Sequence, residues 1–231
     1  MKDINIAVDG PAGAGKSTVA REVASRLSLK YLDTGAMYRA LTWKAILDNV
    51  DFESPEEIIK LAALINIDIK AGPEGANLVY INGTDVTREI RAPAVNDKVS
   101  IVSRVPEARE KLVARQQEIA VNGGVIMDGR DIGTKVLPGA DFKFFITASL
   151  ESRAHRRYLE LKEKGCHITL EDVKKEIAMR DKIDKEREID PLIAARDAVL
   201  IDTTHMNIEE VIQEMLKKVN QPRAGRTQYG V

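Results

Sequence analysis

Nine residues near the amino terminus constrain this chain more than any other feature. Gly10-Pro11-Ala12-Gly13-Ala14-Gly15-Lys16-Ser17, followed by Thr18, fits the pattern G-x-x-x-x-G-K-[ST]. An apolar run at residues 4–8 precedes it as a short buried strand ending at Asp9. Beyond it, Val19, Val23 and Leu27 recur at four-residue spacing and predict a helix over Lys16–Leu27. The chemistry needs each part. Glycines let backbone N–H groups turn inward on phosphate oxygens, and the helix N-terminus adds partial positive charge. Lys16 supplies a mobile cation for β- and γ-phosphates, and Ser17 a hydroxyl ligand for Mg²⁺. Four specified positions arise by chance in about one chain per hundred of this length, so an ordinary strand–loop–helix turn is the weaker explanation. The motif predicts a nucleoside triphosphate site over residues 10–18.

The remaining chain must build a fold around that loop. Its 231 residues suit one α/β domain with room for a small insertion. Short apolar strands are expected at 124–127, 142–146 and 198–201, alternating with helices, which implies a mostly parallel sheet covered on both faces. Helices are expected from Thr34 to about Asn49, over Pro55–Leu64, across 88–103 and across 106–121. Ser54-Pro55-Glu56-Glu57 reads as a capping box with proline at the first helical position. Between these helices, residues 67–87 change character: strand-like runs surround Gly72-Pro73-Glu74-Gly75 and the turn signal Asn82-Gly83, predicting an inserted β-meander. Residues 151–190 hold 22 charged side chains, 11 of each sign, in two helices, the second capped by Thr169. A last helix carries an apolar stripe of Ile208, Val211, Ile212, Met215, Leu216 and Val219. Residues 222–231 have no pattern and are expected to be a flexible tail.

Charge and cysteine usage narrow the function classes. Thirty-five basic against 36 acidic side chains argue against a dedicated nucleic-acid polymer binder. Uncharged runs such as 76–84 fall far short of the roughly 20 residues that span a bilayer. A cytoplasmic protein without membrane attachment, acting as a monomer, is expected. The single cysteine, Cys166, precludes an internal disulfide. Guanine-recognition N/TKxD and DxxG patterns do not occur, which argues against a GTPase switch and leaves a small kinase. A shikimate- or gluconate-type kinase and a non-catalytic nucleotide-binding regulator stay open on these grounds.

Further motifs accumulate in a fixed order. Leu32-Asp33-Thr34-Gly35-Ala36-Met37-Tyr38-Arg39, Asp128-Gly129-Arg130-Asp131-Ile132-Gly133-Thr134, Arg153–Arg157 and Arg180–Arg187 follow the phosphate loop. Together they resemble the bacterial cytidylate (CMP/dCMP) kinase family, from about residue 4 to 219. The resemblance implies a P-loop nucleoside-monophosphate kinase fold. Its parts would be a core at 1–33 and 104–221, a monophosphate-binding lobe at about 34–103 and a lid at about 151–165. It implies transfer of the γ-phosphoryl of ATP, with Mg²⁺, to CMP or dCMP. Thr34, Arg39, Ser100, Arg109, Arg130, Asp131, Arg180, Asp184 and Arg187 would bind the acceptor. Family members often carry serine at the Thr34 position, and the hydroxyl is retained. Lys16, Arg130, Arg153 and Arg157 are expected to act on the transferred phosphate, and Asp128 to reach Mg²⁺ through water beside Ser17.

Independent physics favours those placements. Arg180, Asp184 and Arg187 share one helix face at i, i+4 and i+7, and Arg153 and Arg157 share another. The competing reading of both faces is a solvated helix with local ion pairs. Asp128 and Asp131 end a core strand, where α/β proteins place ligand groups, unless they form a plain turn. Trp43 is read as a packing residue and Cys166 as an unpaired thiol; Tyr38, next to Arg39, either packs or lines the acceptor site, and His155, inside an arginine cluster, is either a surface histidine or a phosphate contact.

Overall fold

The computed structural model describes residues 3–163 and 165–221; the tail expected at 222–231 lies outside them. Strand β1 (Asn5–Asp9) leads through the glycine loop into α1 (Lys16–Leu27), then β2 (Lys30–Asp33) and α2 (Thr34–Leu47). Next come α3 (Pro55–Leu64), β3 (Ile67–Ala71), β4 (Asn77–Ile81), β5 (Thr84–Asp85), α4 (Pro93–Val102) and α5 (Pro106–Ala120). The chain returns to the core with β6 (Val125–Gly129), β7 (Phe142–Thr147), α6 (Leu150–Glu163), α7 (Leu170–Glu186), β8 (Val199–Asp202) and α8 (Ile208–Asn220).

Five strands form a parallel sheet in the order β2-β6-β1-β7-β8. Ile6, Ala7 and Val8 of the central strand are completely buried, because helices cover both faces and leave no polar side for alternation. On one face, Val19 and Val23 of α1 meet Val211, Ile212 and Met215 of α8 over Ile6, Val8 and Phe144. On the other, Val113 and Ala120 of α5 pack on Ala7, Val125 and Met127. A third cluster joins α2, α3 and α4 to the antiparallel sheet β3-β4-β5, which is the expected meander. Its turn has Asn82 at φ 50° and Gly83 at φ 84°, the two positive values that a two-residue hairpin needs.

Three sequence expectations are corrected. β2 was not foreseen: Lys30-Tyr31-Leu32-Asp33 is four residues long and mostly polar, and it becomes a strand by pairing with β6. Ser54 caps α3 without a side-chain bond to its backbone; Glu57 instead accepts from the Asp51 N–H at 3.0 Å. The helix expected at 88–103 divides into a short turn at Glu89–Arg91 and α4, because Pro93 starts a new helix rather than continuing one.

Candidate functional site

The carboxyl ends of the parallel strands open into a cleft of about 1150 Å³ between the phosphate loop, the inserted lobe and the α6–α7 pair. This is where an open α/β sheet places its ligands. Gly10 makes the loop possible: at φ 146°, a Cβ there would lie 1.9 Å from the Ile146 carbonyl oxygen. Ala12 through Thr18 line the cleft, while Gly10 and Pro11 shape the loop from behind. Lys16 is buried, and its Nζ donates to the Pro11 carbonyl at 2.7 Å. Burial and the neighbouring Arg130 charge push its ammonium well below the usual lysine range.

Beside the loop, β6 delivers Asp128. Its Oδ2 accepts from Ser17 Oγ at 2.7 Å, and its Oδ1 from the Tyr31 hydroxyl at 2.8 Å. Burial, with Asp33 nearby, raises the Asp128 carboxyl against the opposing pull of Lys16. Burial and the charges of Asp128 and Asp33 keep the Tyr31 phenol protonated far above its ordinary range. Thr34 Oγ1 donates to the Asp128 carbonyl at 2.8 Å, so α2 starts against the end of β6.

The opposite half of the cleft is lined by Thr34, Arg39, Ser100, Arg109, Arg130, Asp131, Arg180, Asp184 and Arg187. Four segments distant in sequence therefore meet. Arg109 is buried and ion-paired to Asp131 and, at 3.3 Å, to Asp190; its guanidinium lies 5.5 Å from the Tyr38 ring centre. Burial opposes that charge, but Tyr38, Asp131 and Asp190 hold it above the ordinary arginine value. Arg130 Nε pairs with Asp184 at 2.7 Å. Arg187 donates to the Asp190 carbonyl oxygen. Two arginines differ. Arg39 comes no nearer to a carboxylate than 4.0 Å, at Asp33, and Arg180 no nearer than 3.8 Å, at Glu176. Burial, then the charges of Arg130 and Arg39, push Arg180 down to about 10. Cations are crowded here beyond the carboxylates that could neutralise them.

Two residues expected at the transferred phosphate are engaged with protein partners. Arg153 does not line the cleft: it is buried behind the phosphate loop, donating to the Ala12 carbonyl at 3.0 Å and pairing with Asp181 at 2.7 Å. Arg157 reaches the cleft rim but pairs with Glu160 at 3.0 Å on its own helix. Tyr38 meets both of its readings: it is buried and also lines the cleft. Sequence reasoning missed Tyr31, Asn77 and Arg156. Arg156 is fixed by Thr203 at the end of the cleft beside the loop, next to Met206 and Ile208. A strand at 30–33 would have pointed to Tyr31; nothing local marks Asn77. Trp43 is partly buried against the lobe core, and His155 and Cys166 are exposed, as read. Among the described residues no helix is long and apolar enough to cross a membrane.

Comparison with known proteins agrees with this arrangement. A family model for cytidylate kinase matches residues 6–221. Cytidylate kinase of Bacillus cereus (strain B4264) is 52% identical over 95% of this chain and 97% of its own length. That of Bacillus thuringiensis (strain Al Hakam) is 52% identical over 93% and 95%. A solved shikimate kinase structure from Acinetobacter baumannii is 14% identical with a TM-score of 0.45, covering 94% of this chain and 93% of its own. A phosphate loop at the centre of a parallel sheet, an inserted lobe facing it and a match over nearly the whole length make this chain a kinase that belongs to the cytidylate kinase family.

Proposed function

We propose that the chain moves the γ-phosphoryl group of ATP onto the α-phosphate of CMP or dCMP, giving ADP and CDP or dCDP. The observation that carries this reading is the crowd of weakly neutralised cations between the phosphate loop and the inserted lobe. CMP brings about two negative charges towards an already anionic ATP. The two phosphates reach reacting distance only where fixed cations offset their repulsion. Lys16 would bind the β- and γ-phosphates, while Arg39 and Arg180, whose carboxylate partners lie at 4.0 and 3.8 Å, stand ready for the acceptor. Arg130 would join them by turning from Asp184. Arg109, now paired with Asp131 and Asp190, would meet the acceptor α-phosphate with Arg39 and Arg130, Ser100 and Asp131 would line the acceptor beside it, and Asp184 and Arg187 would reach the sugar.

In this reading the core is 1–33 and 104–221, the acceptor lobe 34–103 and the lid 151–165. The protein works in the cytoplasm as a monomer. Ser17 and Asp128 fit Mg²⁺: the Ser17 hydroxyl would be a direct oxygen ligand, and Asp128, 2.7 Å from it, would reach the ion through one of the waters that this ion keeps. When bound, Mg²⁺ supplies charge neutralisation at the donor phosphates.

Measuring ADP release from MgATP with CMP, dCMP, UMP, AMP and shikimate in turn tests the proposal. Turnover with CMP and dCMP well above the others is expected, and Lys16→Ala is expected to lower it by orders of magnitude in a folded protein. Preference for AMP or shikimate overturns the acceptor, and ATP binding without transfer to any of them overturns catalysis.

A further inference from the structure

β2 is an edge strand of the five-stranded sheet, paired to β6 on one side. Its outer edge is not left bare. The side-chain amide of Asn77, the first residue of β4, accepts from the Asp33 N–H at 2.6 Å and donates to the Tyr31 carbonyl at 2.8 Å. A carbonyl and the N–H two residues later are the pair that one residue of a neighbouring parallel strand would take. One buried side chain therefore replaces a missing strand and joins the inserted lobe to the core sheet. The residue held this way is Tyr31, whose hydroxyl meets Asp128 Oδ1 at 2.8 Å, while Ser17 meets Oδ2. The register explains the reach. Tyr31 lies opposite Ile126 and Asp33 opposite Asp128, so the Tyr31 ring spans two residues along the same sheet face to the carboxylate.

We propose that Tyr31 and Asn77 are positioning residues for the Asp128 carboxylate: Asn77 holds the β2 edge, the edge holds the Tyr31 ring, and the Tyr31 hydroxyl aims the carboxylate at Ser17. The inserted lobe thus helps set the order of the donor-side metal site. The inference rests on the reading of Ser17 and Asp128 as the Mg²⁺ side of the nucleotide site. Without the Tyr31 hydroxyl, the Asp128 carboxylate keeps one hydrogen-bond donor instead of two, that of Ser17. Without the Asn77 amide, the ring loses its backbone anchor while the hydroxyl remains.

Calorimetric binding of a non-hydrolysable β,γ-imido ATP analogue, with and without Mg²⁺, tests this apart from turnover. In Tyr31→Phe, the Mg²⁺-dependent gain in affinity is expected to fall roughly tenfold, the scale of one lost charge-assisted hydrogen bond, with metal-free affinity within about twofold of wild type. Asn77→Ala is expected to lose part of the same gain. The double variant is expected to lose no more than Tyr31→Phe alone, because both act through one carboxylate. A Tyr31→Phe protein with the full Mg²⁺ gain overturns the inference. Equal loss with and without metal assigns Tyr31 to general folding and also overturns it, as does an additive double variant for the Asn77 arm. Asp128→Asn separates the two levels. If it keeps the Mg²⁺ gain, the metal reading itself fails; if it loses the gain while Tyr31→Phe keeps it, the inference alone fails.

Discussion

Asp9 shows how one side chain at the end of β1 acquires a role that its neighbours in sequence do not reveal. Its carboxylate accepts the backbone N–H groups of Ile132 and Gly133, each at 2.8 Å, and so ties the central strand to the segment after β6. Burial outweighs those two bonds and raises its pKa from 3.8 to about 6. The folded protein therefore holds this proton more tightly than the unfolded chain. The Asp9 contribution is most favourable below about pH 4, is lost progressively as pH rises to about 6, and is then constant; the whole effect is roughly 3 kcal/mol. In urea denaturation, the stability of Asp9→Asn relative to wild type is expected to improve between pH 4 and pH 7. A gap that does not change with pH would contradict the raised pKa. Lys16 and Ser17 were readable from eight adjacent residues, since glycine freedom and a helix N-terminus are local properties. Asp9 was visible as no more than a strand end, because its partners lie 123 and 124 residues away.

Among the elements, α6 and α7 hold the phosphate loop from behind. Arg153 of α6 connects the Ala12 carbonyl, the Ala148 carbonyl and Asp181 of α7, all out of reach of solvent. Arg153→Met strands a buried Asp181 charge and is expected to cost roughly 3–5 kcal/mol in denaturant unfolding. Adding Asp181→Leu is expected to recover most of that loss, since a well-packed apolar pair replaces a buried ion pair at little cost. ATP affinity should stay reduced in both variants, as Ala12 loses its donor in both. A double variant as unstable as Arg153→Met would show that the ion pair is not the source. Both helices were evident from spacing and from the Thr169 cap, whose side chain accepts from the Asp172 N–H at 3.1 Å. Which face turned inward was not evident, because Arg153 and Arg157 share a face by spacing yet end in different surroundings, one buried and one at the rim. β2 escaped notice for a related reason: strand pairing, rather than local propensity, decides a four-residue polar segment.

Across the whole molecule, the cleft joins the core, the lobe and the α6–α7 pair, so an acceptor that bridges them should stabilise the entire fold. At about 100 times its Kd, a ligand adds about 2.7 kcal/mol, equivalent to roughly 5–10 °C in thermal midpoint for a chain of this size. CMP is expected to give wild type a shift of that order. Arg180→Met is expected to lose most of it at the same CMP concentration while keeping the shift from an ATP analogue. An undiminished CMP shift would return Arg180 to a solvated helix face. The phosphate loop, the alternation of strands and helices, the inserted meander and the motif order that marks the family were all legible in the order of the amino acids. Each of these is encoded in contiguous residues, through glycine conformations, helix periodicity and turn chemistry. Which charges are spent and which stay available was settled by folding. Arg109 is matched by Asp131 and Asp190, Arg130 by Asp184 and Arg153 by Asp181, whereas Arg39 and Arg180 are left with distant partners. Pairing depends on distances between segments that the chain brings together, 81 residues apart for Arg109 and Asp190, and burial sets the strength of each pair. Neither quantity exists until the sheet, the lobe and the helices have closed around one cleft.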